Sequence, residues 1–333
     1  MKKTARSHIN IALIKYWGKK DKTLNLPLTS SVSLTLDQFY TTTTVEYKKG
    51  LTEDHLYIDG RFITGDELKR VSNFMDEIRK RYNIPYYALI DSYNYVPKKA
   101  GIASSSSAFS ALALAATEAF GVHLSQKELS SLARLGSGSA SRSIISGFAI
   151  WHEGDSHESS YAESFYDYND VAVIIAFVDK NEKKVGSRDA MNILTDFPEL
   201  KNEWITLTND HLERIKLGFI NQDFNIIGTT LESHAIKMHE LIEKTGITYL
   251  TDKSREIIQY THALREKGYP VYVSMDAGPN VKIFTKKSSI KDVLPLYQKI
   301  TEVVVCNKGK GAYLIWCNFK YQVNYLLLVN IQY

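Results

Sequence analysis

The chain has 333 residues, of which 44% are hydrophobic and 11% aromatic, as expected for one large or two moderate globular domains with a buried core. Its 41 Lys and Arg residues and 37 Asp and Glu residues leave a net charge of only +4, which argues against a nucleic acid partner. Two cysteines, Cys306 and Cys317, exclude a disulfide framework and a zinc cluster, and they favour a reducing, cytoplasmic setting.

Strand patterns dominate the first part of the chain. Residues 8–14 and 28–47 predict strands, the second through alternation of apolar and polar residues. Residues 65–82 predict a helix, because their apolar residues recur on one helical face. Residues 86–95 predict another strand, and the Ala- and Leu-rich segment 108–120 predicts a second helix.

Helical patterns dominate the second part. Ser125 and Glu128 match a capping box that opens a helix ending at residues 136–138. The later predictions are, in order, a surface loop at 153–169, a buried strand at 171–178, helices within 205–268, and two strands at 269–275 and 281–285. The order of these elements predicts an α+β fold with a soft boundary near residues 180–190.

The two ends of the chain give no membrane span. The apolar run at 9–14 after the N-terminal MKK is too short for a signal peptide, and nothing before residue 312 approaches the length of a span. Residues 316–333 form an atypical apolar tail with Lys320 as its only charge. This tail is an additional strand, a dimer contact, a membrane-surface segment or a sequence artefact, and we expect no stable membrane insertion.

Residues 97–107 (PKKAGIASSSS) lie between a predicted strand and a predicted helix. Gly101 permits close backbone approach to a ligand, and N–H groups at a helix N-terminus attract phosphate. The serine hydroxyls can donate to phosphate oxygens or hold a metal ion, although a serine-rich helix cap has the same appearance. The segment has neither the Gly-Lys-Ser of a Walker loop nor the glycine spacing of a Rossmann fingerprint.

Three other segments carry candidate chemistry. Residues 12–20 (ALIKYWGKK) place lysines and a tyrosine at a strand end, where they bind an anion or are simply solvated. Residues 136–143 (GSGSASRS) place Arg142, with its planar guanidinium, among small residues. This segment is either an anion-binding loop or a flexible linker. Residues 274–282 (SMDAGPNVK) hold one aspartate, either a turn former or a positioned base. The pairs His152/His157 and His234/His239 lack the spacing of helical metal ligands and are predicted to be ordinary.

These four segments resemble those of the mevalonate diphosphate decarboxylases, a branch of the GHMP kinase superfamily, over residues 5–285. The serine-rich loop is similar to the ATP-binding motif of the superfamily, and the segment 183–191 (KKVGSRDAM) is similar to a further segment of the branch. The resemblance implies a GHMP kinase-like two-domain fold. Its N-terminal domain, residues 1–183, would resemble ribosomal protein S5 domain 2, and residues 184–315 would form a C-terminal α/β domain.

The resemblance also implies roles for individual residues. Asp276 would be catalytic, with Lys15 beside it. Substrate would be bound by Tyr16, Lys19, Ser139, Arg142, Ser187 and Arg188, with Tyr16 and Lys19 on a diphosphate and Arg142 on a carboxylate. ATP would be bound by Gly101, Ala103, Ser104, Ser105, Ser106, Ser107 and Lys183, and Ser106 would also hold Mg²⁺. Ile9 and Gly186 replace a threonine and a serine that are usual in the family, and each replacement removes a hydroxyl.

The implied reaction is the ATP- and Mg²⁺-dependent decarboxylation of mevalonate 5-diphosphate to isopentenyl diphosphate in isoprenoid biosynthesis. A cytoplasmic homodimer is expected. Alternatives are a kinase of the same superfamily, a decarboxylase of the monophosphate, and a binding protein without activity. The joint presence of Lys15, Arg142 and Asp276 counts against the last alternative.

Overall fold

The computed structural model describes residues 1–95, 105–178 and 186–315. The strands in these ranges are β1 (Lys2–Ile14), β2 (Lys19–Asp21), β3 (Leu26–Pro27), β4 (Ser31–Lys48), β5 (His55–Ile58), β6 (Arg61–Ile63), β7 (Tyr87–Tyr95), β8 (Phe148–Trp151), β9 (Ala162–Ser164), β10 (Ala172–Ala176), β11 (Val271–Met275), β12 (Val281–Thr285), β13 (Val303–Cys306) and β14 (Tyr313–Ile315). The α-helices are α1 (Gly65–Tyr82), α2 (Ser105–Phe120), α3 (Gln126–Gly136), α4 (Ala140–Ser143), α5 (Ser187–Ile193), α6 (Pro198–Ile220), α7 (Phe224–Lys244), α8 (Asp252–Glu266) and α9 (Ile290–Gln298).

Two sheets form the framework. The first has the order β14-β1-β4-β7-β5-β6, and β8 joins it by pairing with both β4 and β9. Helices α1, α2 and α3 cover one face, because their apolar side chains and those of β4 and β7 share one core. The second sheet has the order β11-β12-β10-β13, and α8 and α9 pack against it.

A joint core connects the two sheets. Alternate residues of β1, such as Ile11 and Leu13, pack in one cluster with Val173 and Ile175 of β10 and with apolar residues of α6 and α7. Burial of such side chains is the main favourable term in folding. The sheets therefore form a continuous body, and the segments that follow β1 and β11 meet at their junction.

Most predicted elements are present, with differences in their bounds and in one predicted loop. The helix predicted at 65–82 and the capping box of Ser125 with Glu128 are both observed. Helix α2 begins at Ser105, three residues earlier than the prediction of 108–120. The predicted loop 153–169 contains the short strand β9, which pairs with β8 and so joins the sheet. The domain boundary at 183/184 stays a prediction. Strand β10, which precedes this boundary, pairs in the second sheet, and β14, which follows it, pairs in the first.

A buried ion pair fastens α1 to the first sheet. The guanidinium of Arg79 donates from Nη1 and Nη2 to the two carboxylate oxygens of Asp54, at 2.9 and 2.8 Å. The Asp54 side chain is fully shielded from solvent and also accepts from the Ala88 N–H at 2.9 Å.

We expect Arg79→Met to lower the free energy of unfolding by about 3 kcal/mol, because it leaves the Asp54 charge buried without its cation. Arg81→Met is the control on the same helix, since its partner Glu77 is 3.7 Å away and partly exposed. The control should cost less than about 1 kcal/mol. Urea denaturation measures both values, and equal losses would contradict the expectation.

Candidate active site

A cavity of about 220 Å³ opens at the junction of the two sheets. Its wall combines the end of β1, the start of α2, the loop before α4, and the turn between β11 and β12. Among the described lining residues, the charged ones are Lys15, Lys19, Arg70, Arg142, Lys282 and Asp276. Five cations around one carboxylate create a positive potential that suits a ligand with several negative charges.

The single carboxylate among the described lining residues lies between two lysines. Asp276 follows β11 directly, and its Oδ1 lies 2.8 Å from Lys15 Nζ while its Oδ2 lies 3.2 Å from Lys282 Nζ. The lysine side chains are only 3% and 4% exposed, whereas that of Asp276 is 38% exposed and faces the cavity. Burial alone would raise the pKa of Asp276, but the two ammonium groups outweigh it and hold the pKa far below its usual range. Asp276 is therefore ionised at any working pH.

The ammonium of Lys15 is fully coordinated. It donates to the Ala12 carbonyl at 2.8 Å, to Ser274 Oγ at 2.7 Å and to Asp276 Oδ1 at 2.8 Å, which uses its three protons. Burial lowers the pKa of Lys15 to about 8, although Asp276 opposes the shift. The charge of Lys15 therefore disappears in mildly alkaline solution.

Arg142 belongs to the short helix α4 and also lines the cavity. Its Nε donates to Asn10 Oδ1 at 3.1 Å and its Nη1 to Ser31 Oγ at 2.6 Å. Burial lowers the pKa of Arg142 to about 10, so the group stays charged at neutral pH. The Asn10 amide also donates to the Ser139 carbonyl at 3.0 Å. Asn10 thus fixes the guanidinium and the neighbouring loop together.

Tyr16 and Lys19 extend the cavity beyond the end of β1. The Tyr16 ring meets the Trp151 ring edge-on, with centroids 4.7 Å apart. A Cβ at Gly138 would lie 2.8 Å from the Tyr16 ring and 2.9 Å from that of Trp151, so a side chain at this position would displace the tyrosine. Lys19 Nζ donates to Asn25 Oδ1 at 2.6 Å. Both residues line the cavity, and their role in binding the substrate stays a prediction.

The predicted serines have different environments. Ser105 and Ser106 line the cavity at the N-terminus of α2, whose first turn has no acidic residue. The helix dipole there favours a bound anion. Ser107 is buried, with its Oγ 2.8 Å from Thr41 Oγ1, and its side chain is not part of the lining.

Several predicted residues cannot be assigned a position from the structure. Gly101, Ala103, Ser104 and Lys183 lie outside the described residues. Ser187 and Arg188 begin α5, and Met191 of the same helix lines the cavity, but the side chains of the two residues lie outside the description. Their roles remain predictions.

Four residues of the cavity wall were not predicted from the sequence: Asn10, Asn25, Arg70 and Lys282. Lys282 could have been predicted from the sequence, because β11 and β12 flank a short turn and their register pairs Ser274 with Lys282. Directly opposed residues of an antiparallel pair project to the same face. The register therefore places Lys282 beside the aspartate, as the structure shows.

Two family models match the chain. The diphosphomevalonate decarboxylase-like N-terminal domain matches residues 7–162, and the mevalonate 5-diphosphate decarboxylase C-terminal domain matches residues 173–314. Among curated relatives, the diphosphomevalonate decarboxylase of Ganoderma lucidum is 32% identical over 327 residues, which cover 89% of this chain and 81% of the relative. The Rattus norvegicus enzyme of the same name is 31% identical, with 87% and 78% covered.

Solved structures agree with these matches. The mevalonate diphosphate decarboxylase of Staphylococcus aureus is 39% identical with a TM-score of 0.91, over 95% of this chain and 98% of the other. A structure of MDDEF in complex with MVAPP, AMPPCP and magnesium is 36% identical with a TM-score of 0.90, over 95% and 99%. The predicted α+β GHMP kinase-like fold is confirmed. On these matches, the chain belongs to the mevalonate diphosphate decarboxylase family.

Proposed function

We propose that this chain converts mevalonate 5-diphosphate and ATP to isopentenyl diphosphate, ADP, phosphate and CO₂. The observation that carries the proposal is an ionised carboxylate, Asp276, held between Lys15 and Lys282 in an otherwise cationic cavity. The related structure that holds MVAPP together with AMPPCP and magnesium supports the same substrate and nucleotide for this chain.

The two anionic ends of the substrate match two parts of the cavity. Arg142 holds the carboxylate, because its planar guanidinium is fixed by Asn10 and offers paired donors. Tyr16 and Lys19 bind the diphosphate, with Ser139 as a further contact on the same wall. Ser187 and Arg188 complete the substrate side. This arrangement keeps the C3 carbon between Arg142 and Lys19, in the part of the cavity that Asp276 faces.

Asp276 accepts a hydrogen bond from the C3 hydroxyl and aligns its oxygen with the γ-phosphoryl group of ATP. Because its carboxylate is strongly stabilised by two lysines, it gains the proton only as the new O–P bond forms. The C3 phosphate then leaves with the C–O electron pair. The bond between C2 and the carboxylate carbon breaks, and its electrons form the new double bond between C2 and C3. CO₂ departs in this step.

The nucleotide site fits this assignment. The start of α2 and the serines there suit a triphosphate, and we assign to it Gly101, Ala103, Ser104, Ser105, Ser106, the backbone at Ser107, and Lys183. Among the described residues no group of three or more His, Cys, Asp or Glu residues is placed to hold a metal. The phosphate oxygens, water and the Ser106 hydroxyl would therefore bind Mg²⁺, as is usual for this ion. Bound Mg²⁺ would neutralise negative charge on the γ-phosphoryl group during its transfer.

The cellular setting is also a proposal. Within the described ranges, none of the helices combines the length and apolar character needed to cross a bilayer. We assign the enzyme to the cytoplasm, in keeping with its low cysteine content, and to a homodimer. Light scattering coupled to gel filtration tests the dimer, and a monomer mass would refute it.

We expect kcat/KM to fall as the pH rises, with a midpoint of about 8. Lys15 is protonated below this midpoint and neutral above it, so the clamp on Asp276 weakens on the alkaline side. Because the pKa of Asp276 lies far below the working range, its titration adds no acidic limb at neutral pH. Initial rates measured between about pH 6 and 10 test this, since kcat/KM reports groups of the free enzyme. A flat alkaline profile would count against the role of Lys15.

A direct comparison of substrates tests the proposed function. Purified protein with ATP and Mg²⁺ is supplied with mevalonate 5-diphosphate or mevalonate 5-phosphate, and CO₂ and isopentenyl product are quantified. The diphosphate should react at least about tenfold more efficiently, because Tyr16 and Lys19 gain a second phosphate to bind. Preference for the monophosphate would replace the proposed substrate.

A further inference from the structure

The two lysines beside Asp276 differ in how many of their protons the protein itself uses. Lys15 donates all three, one to Asp276 Oδ1 and two to other oxygens of the protein. Lys282 Nζ lies 3.2 Å from Asp276 Oδ2 and donates to the Asn280 carbonyl at 3.2 Å. Because an ammonium has three N–H donors, one donor of Lys282 has no acceptor among the described residues. Lys282 therefore has an N–H group available to a ligand.

The position of Lys282 in the cavity suits an anionic ligand. Its side chain is only 4% exposed, and it lines the same cavity as Asp276 and as Ser105 and Ser106 at the start of α2. The two ammonium groups and the one carboxylate that they share leave one positive charge in excess. A buried cation that is not fully neutralised favours a further negative group beside it.

The transferring phosphoryl group has to come close to this lysine. In the proposed reaction, the C3 hydroxyl lies within hydrogen-bond distance of the Asp276 carboxylate, about 2.6–3.2 Å. The phosphorus then bonds to the same hydroxyl oxygen, so its three other oxygens lie just beyond that atom. Lys282 Nζ, at 3.2 Å from Asp276 Oδ2, is near enough to meet one of them. Lys15 has no donor left for such a contact.

We propose that Lys282 is a catalytic residue, whose third N–H group donates a hydrogen bond to the phosphoryl group during its transfer and to the C3 phosphate as it leaves. No proton is transferred from Lys282 in either step. When the bond between C3 and oxygen breaks, its electron pair stays on the phosphate, and the ammonium stabilises the negative charge that the phosphate gains. The inference rests on the proposed function and deepens it, because it concerns the same reaction at the same site.

Lys282→Met removes this donor and keeps an unbranched side chain in the same space. We expect kcat to fall by about 100- to 1,000-fold, the usual effect of losing one donor to a charge that develops in the transition state. The KM for mevalonate 5-diphosphate and the affinity for AMPPCP should change by less than about threefold, because the contact strengthens only during transfer. Lys282→Arg keeps the charge and the donors on a longer side chain, so its kcat should lie between those of the methionine variant and the wild type.

A transition-state analogue separates direct contact with the phosphoryl group from an effect that passes through Asp276. MgADP with aluminium fluoride imitates the transferring group, and its affinity is measured in the presence of mevalonate 5-diphosphate. This affinity should fall by about the same factor as kcat in both Lys282 variants. In the Asp276→Asn background, Lys282→Met should still weaken the fluoride complex by at least about tenfold, because a direct contact does not need the carboxylate.

The matched control is Lys244→Met, whose ammonium pairs with Glu203 at 3.1 Å on the surface and whose loss should leave kcat within about twofold of the wild type. Three outcomes overturn the inference: a near-wild-type kcat in Lys282→Met, a reduced kcat with unchanged affinity for the fluoride complex, and no further loss in the Asp276→Asn background. If the methionine variant does not fold, the arginine variant decides, and a fluoride affinity that does not follow its kcat rejects the contact. A wild-type protein that releases no CO₂ refutes the proposed function instead, so the two failures are distinct.

Discussion

Asp276→Asn is expected to lower kcat by at least about 100-fold while an ATP analogue still binds. Asparagine keeps the shape of the side chain but removes the charge between Lys15 and Lys282, whose Nζ atoms lie 2.8 and 3.2 Å from the carboxylate. The substrate hydroxyl then loses its anionic hydrogen-bond acceptor, and two buried ammonium groups lose their counter-ion. Steady-state rates and titration calorimetry with AMPPCP measure the two effects separately.

The matched control for this variant is Asp155→Asn. Its carboxylate pairs with Lys20 at the surface and is 95% exposed, so the same chemical change should leave kcat within about twofold of the wild type. A near-wild-type rate in Asp276→Asn would remove Asp276 from the mechanism. Loss of nucleotide binding in that variant would show that the change acts on the fold rather than on the reaction.

The second large effect is expected for Arg142→Met, which should lower kcat/KM for mevalonate 5-diphosphate by about 100- to 1,000-fold. This range corresponds to a lost charge-assisted bidentate contact of about 3–4 kcal/mol in a site that excludes water. Arg142 is 3% exposed and is held by Asn10 and Ser31, so methionine can occupy its path without replacing its donors. The KM for ATP should change by less than about threefold, because the start of α2 is untouched.

Arg142→Lys distinguishes charge from geometry at this position. Lysine keeps the positive charge but offers no planar fork, so its kcat/KM should lie between those of the methionine variant and the wild type. If methionine leaves the KM for the diphosphate unchanged, the substrate carboxylate is bound elsewhere. If lysine equals arginine, the charge alone accounts for the effect.

Local patterns in the sequence predicted a large part of this fold. The amphipathic period of α1 and the capping box of α3 depend on neighbours within a few residues, and both are observed with the predicted bounds or cap. Strand β9 was missed because three residues carry no period of their own, and their structure comes from pairing with β8. The same limit explains why residues 153–169 were predicted to be a loop throughout.

The active site shows the same division between local and long-range information. Lys15, Tyr16, Arg142 and Asp276 belong to recognisable strings, and the structure brings all four to one cavity. Asn10 has no such signal, because its role depends on contacts with Arg142 and Ser139 more than 120 residues away, at separations of 132 and 129.

His239 was predicted to be ordinary on the spacing of the histidine pairs, which tests only for metal ligands. The structure buries its side chain and places its ring edge-on to that of Tyr249, with centroids 6.4 Å apart.

The proposed decarboxylation is tested most directly when CO₂ and ADP are measured in the same reaction. Mevalonate 5-diphosphate labelled at the carboxyl carbon is incubated with the protein, ATP and Mg²⁺, and released label is compared with ADP formed. We expect one CO₂ for each ADP, with isopentenyl diphosphate as the product, because phosphorylation of the C3 hydroxyl commits the substrate to lose its carboxylate. ADP formed with the label retained in a phosphorylated product would contradict it and identify a kinase.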